Sequence, residues 1–102
     1  MLPVGGEFTL GLCTNALIQG ERLYLYFTSH EDNEVLLRVT VSDEDGTLLG
    51  ETGVITPGHF LPDVALSALP KGEKLTLRVI SYEPNTYYSR GTTKLTISYQ
   101  SE

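Results

Sequence analysis

Hydrophobic and polar positions alternate along most of this chain, and residues that favour turns interrupt the alternation at short intervals. The clearest run is 34–42, where every second residue is apolar and is predicted to face a core: Val35, Leu37, Val39 and Val41. A period of two residues is typical of a β-strand that buries one of its faces. Apolar spacing typical of a helix does not persist anywhere, although the segment 14–19 is long enough for a single helical turn.

About seven such runs, each bounded by turn residues, are predicted to be strands. They span 7–13, 23–29, 34–42, 47–55, 63–69, 74–82 and 92–99. Short strands separated by turns every ~8–12 residues predict an all-β fold, namely a two-layer antiparallel β-sandwich with an immunoglobulin-like architecture. We expect residues 1–102 to form this single domain. The term describes architecture only, because the chain has one Cys and no Trp, whereas true immunoglobulin domains have a Cys, Trp and Cys pattern.

The charge balance narrows the possible partners. The chain of 102 residues has 13 acidic and 7 basic side chains, which gives a formal net charge of −6. Proteins bind nucleic acids and anionic membrane surfaces mainly through Lys and Arg, so neither is an expected partner. A content of 40% hydrophobic and 20% charged residues is normal for a globular protein.

The sequence contains no recognisable membrane segment. No apolar run approaches the ~18 residues of a membrane span, and Met1 is not followed by the basic and apolar regions of a signal peptide. We therefore expect membrane association only through a segment absent from this chain, and whether one precedes Met1 stays open. The lone cysteine, Cys13, excludes an internal disulfide and is interpreted as a small buried side chain of the first strand.

Residue types that carry catalysis are sparse. The chain lacks the Gly-x-Ser-x-Gly signature of a serine nucleophile, and both histidines, His30 and His59, fall in predicted turns. A hydrolase would have to bring one of them to a hydroxyl or to the thiol of Cys13. We therefore predict that the protein is not an enzyme and has no cofactor. The apolar loop 59–62 is predicted to pack across one end of the sandwich.

One turn matches the start of a calcium-binding loop. The sequence Asp43-Glu44-Asp45-Gly46 places carboxylates at alternate positions, which suits Ca²⁺. An EF-hand loop then needs an acidic or amide ligand at its fifth position and a Glu at its twelfth, where this chain has Thr47 and Val54. A hairpin turn accounts for the Asp-Gly pair, so no metal site is predicted, and weak Ca²⁺ binding at Asp43–Asp45 stays open.

The most distinctive segment is the loop 82–91, which carries three tyrosines and an arginine between two strong strands. Tyr and Arg are enriched at binding hot spots, so the candidate binding residues are Tyr82, Tyr87, Tyr88 and Arg90. Alternatively, one or two of the tyrosines close the end of the sandwich, with their hydroxyls bonded to the backbone. We favour the second interpretation.

Two stretches resemble a known family. The turn 43–46, followed by 50–53 and 55–60, resembles D-x-x-G…G-E-[ST]-G-L-I-x-P-G-E-Y, and 75–91 resembles L-x-V-x-x-Y-E-P-x-T-Y-Y-S-x-G. Both patterns recur in small uncharacterised β-sandwich proteins of Gram-positive, mostly clostridial, bacteria, which usually follow an N-terminal signal or membrane segment. The resemblance covers residues 34–98 and implies a location outside the cytoplasmic membrane, with no known activity. His59 stands where the family commonly has an acidic residue.

These observations favour a non-catalytic extracytoplasmic or cell-surface module that mediates protein interaction or assembly. It would present loops at the sandwich end, or an exposed strand edge, to a protein or cell-wall partner. The alternative is a carbohydrate-binding module in which Tyr82, Tyr87 and Tyr88 form a stacking platform. A hydrolase built on His30 or His59 is a third hypothesis.

Overall fold

The computed structural model describes residues 2–4, 8–12, 15–86 and 88–101, with side chains from residue 10 onward. Strands make up most of this part of the chain, and none of it is helical. The all-β prediction is therefore confirmed. The nine strands are β1 (Leu2–Val4), β2 (Phe8–Gly11), β3 (Asn15–Gln19), β4 (Arg22–Ser29), β5 (Leu36–Ser42), β6 (Leu48–Glu51), β7 (Phe60–Ala65), β8 (Lys74–Tyr82) and β9 (Ser89–Ser101).

The strands form one sheet in the order β1, β2, β4, β3, β9, β8, β5, β6, and β7 pairs with β4. All pairs are antiparallel except β3 and β9, which run parallel from Asn15 opposite Ser98 to Ile18 opposite Ser101. The prediction of a purely antiparallel sheet was wrong, and the sheet is mixed. The cause is topological: β3 takes its direction from its pairing with β4, and β9 takes its direction from its hairpin with β8.

The segment 14–19 is the main local difference from the sequence prediction. Residues 15–19 form β3 instead of a helical turn, with Ala16 and Ile18 buried and the intervening Leu17 half-buried. So short an apolar pattern is compatible with either structure. Here the strand is favoured because β3 bonds to β4 on one side and to β9 on the other. Cys13, predicted to be buried in the first strand, lies outside the described residues.

Two predicted boundaries also change. The run 47–55 is a strand only over 48–51, after which Thr52 and Ile55 bond separately to β5. The apolar loop 59–62 contributes to β7, which begins at Phe60. Phe60 is 52% exposed, so its ring does not pack across an end of the fold as expected.

The core is built from the inward positions of these strands. The predicted inward residues of the run 34–42 are all buried, at 1% exposure or less. The largest fully buried side chains include Leu10, Ile18, Leu23, Leu25, Phe27, Leu37, Leu49, Leu75 and Leu77. Burial of each such side chain contributes ~1.5–3 kcal/mol, so the shared core is the main source of stability.

The sheet curves until its far end approaches β7. The backbone N–H of Ser67 donates to the carbonyl of Leu49 at 2.7 Å. Gly50 lies so close to the carbonyl oxygen of Ala65 that a Cβ there would be 2.4 Å from it. The strand β6 therefore meets the end of β7, and the sheet nearly encloses the core.

Candidate functional site

The tyrosine-rich segment forms the connection between β8 and β9. Tyr82 ends β8 opposite Ser89, and the backbone N–H of Glu83 donates to the carbonyl of Tyr88 at 2.9 Å. The two strands therefore remain together close to the tip of this hairpin. Tyr87 lies outside the described residues, so the predicted site can be followed at its other three positions.

These three side chains lie at the same end of the fold but in different surroundings. Tyr88 is 73% exposed. The Nε of Arg90 lies 3.1 Å from a carboxylate oxygen of Glu83, which anchors the arginine to the hairpin. Tyr82 is half-buried, and its hydroxyl lies 3.5 Å from the guanidinium of Arg38. Tyr88 therefore presents its ring to solvent, whereas Tyr82 faces the neighbouring strand.

Arg38 links Tyr82 to β6. Its guanidinium donates to Glu51 at 2.7 Å, and this hydrogen bond, together with the charge of Glu51, raises the pKa of Arg38 above its ordinary value. The Nε of Arg38 is buried without a hydrogen-bond partner. The network holds Tyr82 against β5, where its hydroxyl faces a side chain and not a backbone carbonyl. A tyrosine hydroxyl does reach the backbone at the other end of β8, where Tyr99 donates to Gly72.

A second exposed aromatic surface was not anticipated from the sequence. Tyr26 on β4 and Phe60 on β7 are each 52% exposed, their ring centroids are 6.4 Å apart, and their planes differ by 18°. The run 23–29 showed Tyr at an outward position, but nothing in it indicated which strand would lie beside it. The pairing of β4 with β7 brings the two rings together across 34 residues of sequence.

The backbone at Tyr26 departs from a regular strand. Tyr24 pairs with Asp63 and Phe27 with Leu61, so two residues of β4 oppose the single residue Pro62. Tyr26 has a φ of 54°, and it is the one non-glycine residue with positive φ in the described part of the chain. A bulge of this kind normally takes glycine at the left-handed position.

The strain at Tyr26 is not offset by burial of its own side chain, which is 52% exposed. A non-glycine residue in the left-handed region costs ~1–2 kcal/mol. The ring is half exposed, so its burial offsets only part of this cost, and the ring stacks on Phe60. Bulges re-aim side chains near functional sites. The arrangement therefore makes the Tyr26–Phe60 pair, which the sequence analysis missed, the stronger of the two aromatic candidates.

The acidic turn considered for Ca²⁺ is occupied by backbone donors. Asp43 is buried, and one carboxylate oxygen accepts from the N–H groups of Asp45 and Thr47 at 3.0 Å each. The other accepts from the N–H of Lys71 at 3.3 Å. Burial acts to raise the pKa of Asp43, but these hydrogen bonds and the charge of Lys71 outweigh it and lower the pKa. The Asp-Gly turn forms as predicted, with Gly46 at φ 83°.

Within the described ranges, no three His, Cys, Asp or Glu side chains are grouped to hold a metal ion. The histidines lie near each other in the fold, since the carbonyl of His59 accepts from the N–H of Ser29, the residue before His30. The Nδ1 of His30 accepts from the backbone N–H of Asp32 at 3.0 Å, and His59 is exposed. The thiol of Cys13, considered as a partner for either, lies outside the part that the structure describes.

No family model matches this chain, and no curated protein matches it significantly. Among the described residues there is no helix that could cross a membrane.

Proposed function

We propose that this domain is a non-catalytic extracytoplasmic or cell-surface module that mediates protein interaction or assembly. The observation that carries the proposal is the Tyr26–Phe60 pair, which the chain holds in solvent at a cost in backbone strain. Aromatic residues are the commonest anchors of protein interfaces, because they bury much area for little loss of side-chain entropy. The location rests on the family resemblance of residues 34–98.

The architecture proposed for the module is an immunoglobulin-like β-sandwich. The strand order supports it: β9, β8, β5 and β6 form one antiparallel group, and β2, β4 and β7 form another. The strand β3 joins the groups, since it pairs with both β4 and β9. Two such groups packed face to face would bury the alternating inward residues of both.

The surface near β7 favours contact through side chains over addition of a strand. Among the described residues β7 pairs with β4 alone, and β6 approaches it at Ala65 without pairing. Pro62 lies in the middle of β7 and has no N–H to donate. Proline on an exposed edge discourages pairing with another chain. We therefore place the partner on the aromatic face, not on the strand edge.

The substitution Tyr26→Gly tests this proposal. Relief of the strain, ~1–2 kcal/mol, is roughly offset by the loss of the ring stack, ~0.5–1.5 kcal/mol, and by the flexibility of glycine, ~0.5–1 kcal/mol. We expect the melting temperature to stay within a few degrees of the wild type, while peptides selected from a display library on the wild-type domain lose their binding. Calorimetry and titration of the selected peptides measure the two effects.

The matched control is Leu48→Ala, which removes an apolar side chain of similar exposure, 54%, from β6. Selected peptides should bind this variant as they bind the wild type. Selection of no peptide, or equal binding to the Tyr26→Gly variant, would contradict an interaction role for the pair.

A carbohydrate-binding module is the second candidate, favoured by the exposed ring of Tyr88. In this proposal Tyr82, Tyr87 and Tyr88 form a stacking platform, with Arg90 beside them. The variant Tyr88→Ala should then keep its melting temperature and lose affinity for a cell-wall glycan. If titration with such glycans leaves the tyrosine fluorescence and melting temperature of the wild type unchanged, this candidate is excluded.

A further inference from the structure

Most of the basic side chains of this acidic protein are gathered on three adjacent strands. The chain has seven Lys and Arg residues and a net charge of −6. Five of the seven lie at exposed or half-exposed positions of β5, β8 and β9: Arg38, Lys74, Arg78, Arg90 and Lys94. Buried residues alternate with Lys74 and Arg78 along β8, so these two residues, and Lys94 opposite Arg78, lie on the outward side of the sheet.

Two of these cations lie directly opposite each other. Arg78 on β8 pairs in register with Lys94 on β9, and both are exposed. Neither belongs to an ion pair of the described residues, whereas Arg38 is paired with Glu51 and Arg90 with Glu83. Like charges directly opposite on a strand pair destabilise the sheet. An anionic ligand placed between them would remove this repulsion.

The surroundings of the two cations are hydroxyl-rich. Thr76 lies opposite Thr96, and Thr40 lies opposite Arg78. Thr92 lies two residues before Lys94 on β9. Threonine is also a good strand former, so its presence alone indicates no ligand. Together with the cations, however, the hydroxyls supply donors and acceptors over this surface. The other outward side chains of β8 are Ile80 and Tyr82, and both are half-buried. The exposed part of this surface is therefore polar and charged.

The basic residues are arranged along the strands. Lys74 is four residues from Arg78, and Arg90 is four residues from Lys94, and each interval corresponds to ~13 Å along a strand. Because β8 and β9 are antiparallel, Lys74 and Arg90 lie on opposite sides of the central Arg78–Lys94 pair. The charges thus extend for ~26 Å along the β8–β9 hairpin, with the unpaired cations at the centre. A compact anion would reach one position of this array, whereas a linear polymer would reach all of them.

We propose that Lys74, Arg78, Arg90 and Lys94, here named the cationic face, bind a linear anionic polysaccharide. The recognised groups are its carboxylates or phosphates, which contact the central cations, and its hydroxyls, which exchange hydrogen bonds with the threonines. This site is separate from the Tyr26–Phe60 pair on β4 and β7. It goes beyond the proposed function and requires no protein partner.

The experiment is a titration of the purified domain with polygalacturonate, which supplies carboxylates, and with inorganic polyphosphate, with neutral dextran as the reference. We expect polygalacturonate to bind and dextran not to bind, and binding of polyphosphate in addition would show that phosphates are recognised as well as carboxylates. Affinity should fall as salt rises towards ~0.15 M, where charges more than ~8 Å apart are largely screened. It should rise with oligomer length until the chain spans the array.

The decisive variant is Lys94→Thr, and its matched control is Lys71→Thr, which removes the same charge from a turn outside the cationic face. Lys94→Thr should weaken binding roughly tenfold, the effect of one charge-assisted hydrogen bond. Its melting temperature should be unchanged or higher, because the repulsion from Arg78 is gone. Lys71→Thr should bind as the wild type does.

Three results would overturn the proposal. The first is equal weakening of binding by the two substitutions, and the second is no binding of polygalacturonate. The third is binding of a single-stranded DNA oligonucleotide as tight as that of polygalacturonate. A failure here leaves the peptide selection on the Tyr26–Phe60 pair unaffected, so the two proposals fail separately.

Discussion

Single residues set how closely the parts of this fold approach each other, and Gly50 is the clearest case. A methyl group there would lie 2.4 Å from the carbonyl oxygen of Ala65. That carbonyl belongs to backbone held by the pairing of Ala65 with Arg22, so it has little room to move. We expect Gly50→Ala to destabilise the protein by ~1–3 kcal/mol, as overpacking does.

Thermal melting measures this effect, which corresponds to a fall of ~4–8 °C per kcal/mol in a domain of this size. Gly53→Ala is the control, because a Cβ at Gly53 has no heavy atom within 4 Å. It should leave the melting temperature nearly unchanged. Similar losses in the two variants would show that β6 and β7 are too far apart for a Cβ at Gly50 to meet the carbonyl of Ala65.

Asp43 gives a prediction at the same scale for the dependence of stability on pH. Its pKa is lowered in the folded protein by hydrogen bonds that outweigh burial. A lowered pKa adds stability above the unfolded pKa, ~3.9, and that stability is lost as the pH falls through the folded value. The variant Asp43→Asn should therefore be less stable than the wild type at pH 7, with a smaller difference below about pH 4.

Urea unfolding at neutral and acid pH checks this expectation. Asp45→Asn changes an exposed carboxyl in the same turn, so its stability should follow that of the wild type at both pH values. If the difference in free energy of unfolding between Asp43→Asn and the wild type stays constant with pH, the charge of Asp43 does not contribute to stability.

At the scale of strands, the sequence predicts which side of a strand faces the core better than it predicts which strands pair with each other. The inward positions of β5 and β8 follow from local alternation, because every second residue is apolar and each strand is long enough to show it. β3 has five residues, and its conformation depends on β4 and β9. The Tyr26 bulge depends on β7 in the same way, and so do the stack with Phe60 and the candidate site. Such long-range pairings leave no local signal.

The strand β3 offers a test of this difference. In a strand, Ile18 and Leu17 point to opposite sides, and Ile18 is 1% exposed whereas Leu17 is half-buried. Ile18→Ala should cost ~2–5 kcal/mol, the usual range for a buried aliphatic side chain. Leu17→Ala should cost clearly less. Denaturant unfolding measures both, and equal costs would argue against the strand.

For the whole molecule, the continuous sheet predicts a single cooperative unfolding transition. The hydrophobic core draws on β4, β5 and β8 together, and β3 bonds the first half of the chain to the last strand. Since neither half buries its apolar face without the other, no part should unfold alone. Tyrosine fluorescence, which reports on rings in both halves, and far-ultraviolet circular dichroism should therefore give coincident midpoints.

The variants Ile18→Ala and Val39→Ala extend this test, because β3 and β5 lie in different parts of the sheet. Each substitution should shift the midpoints of both signals together. Different midpoints for the two signals in either variant would show two units that fold independently.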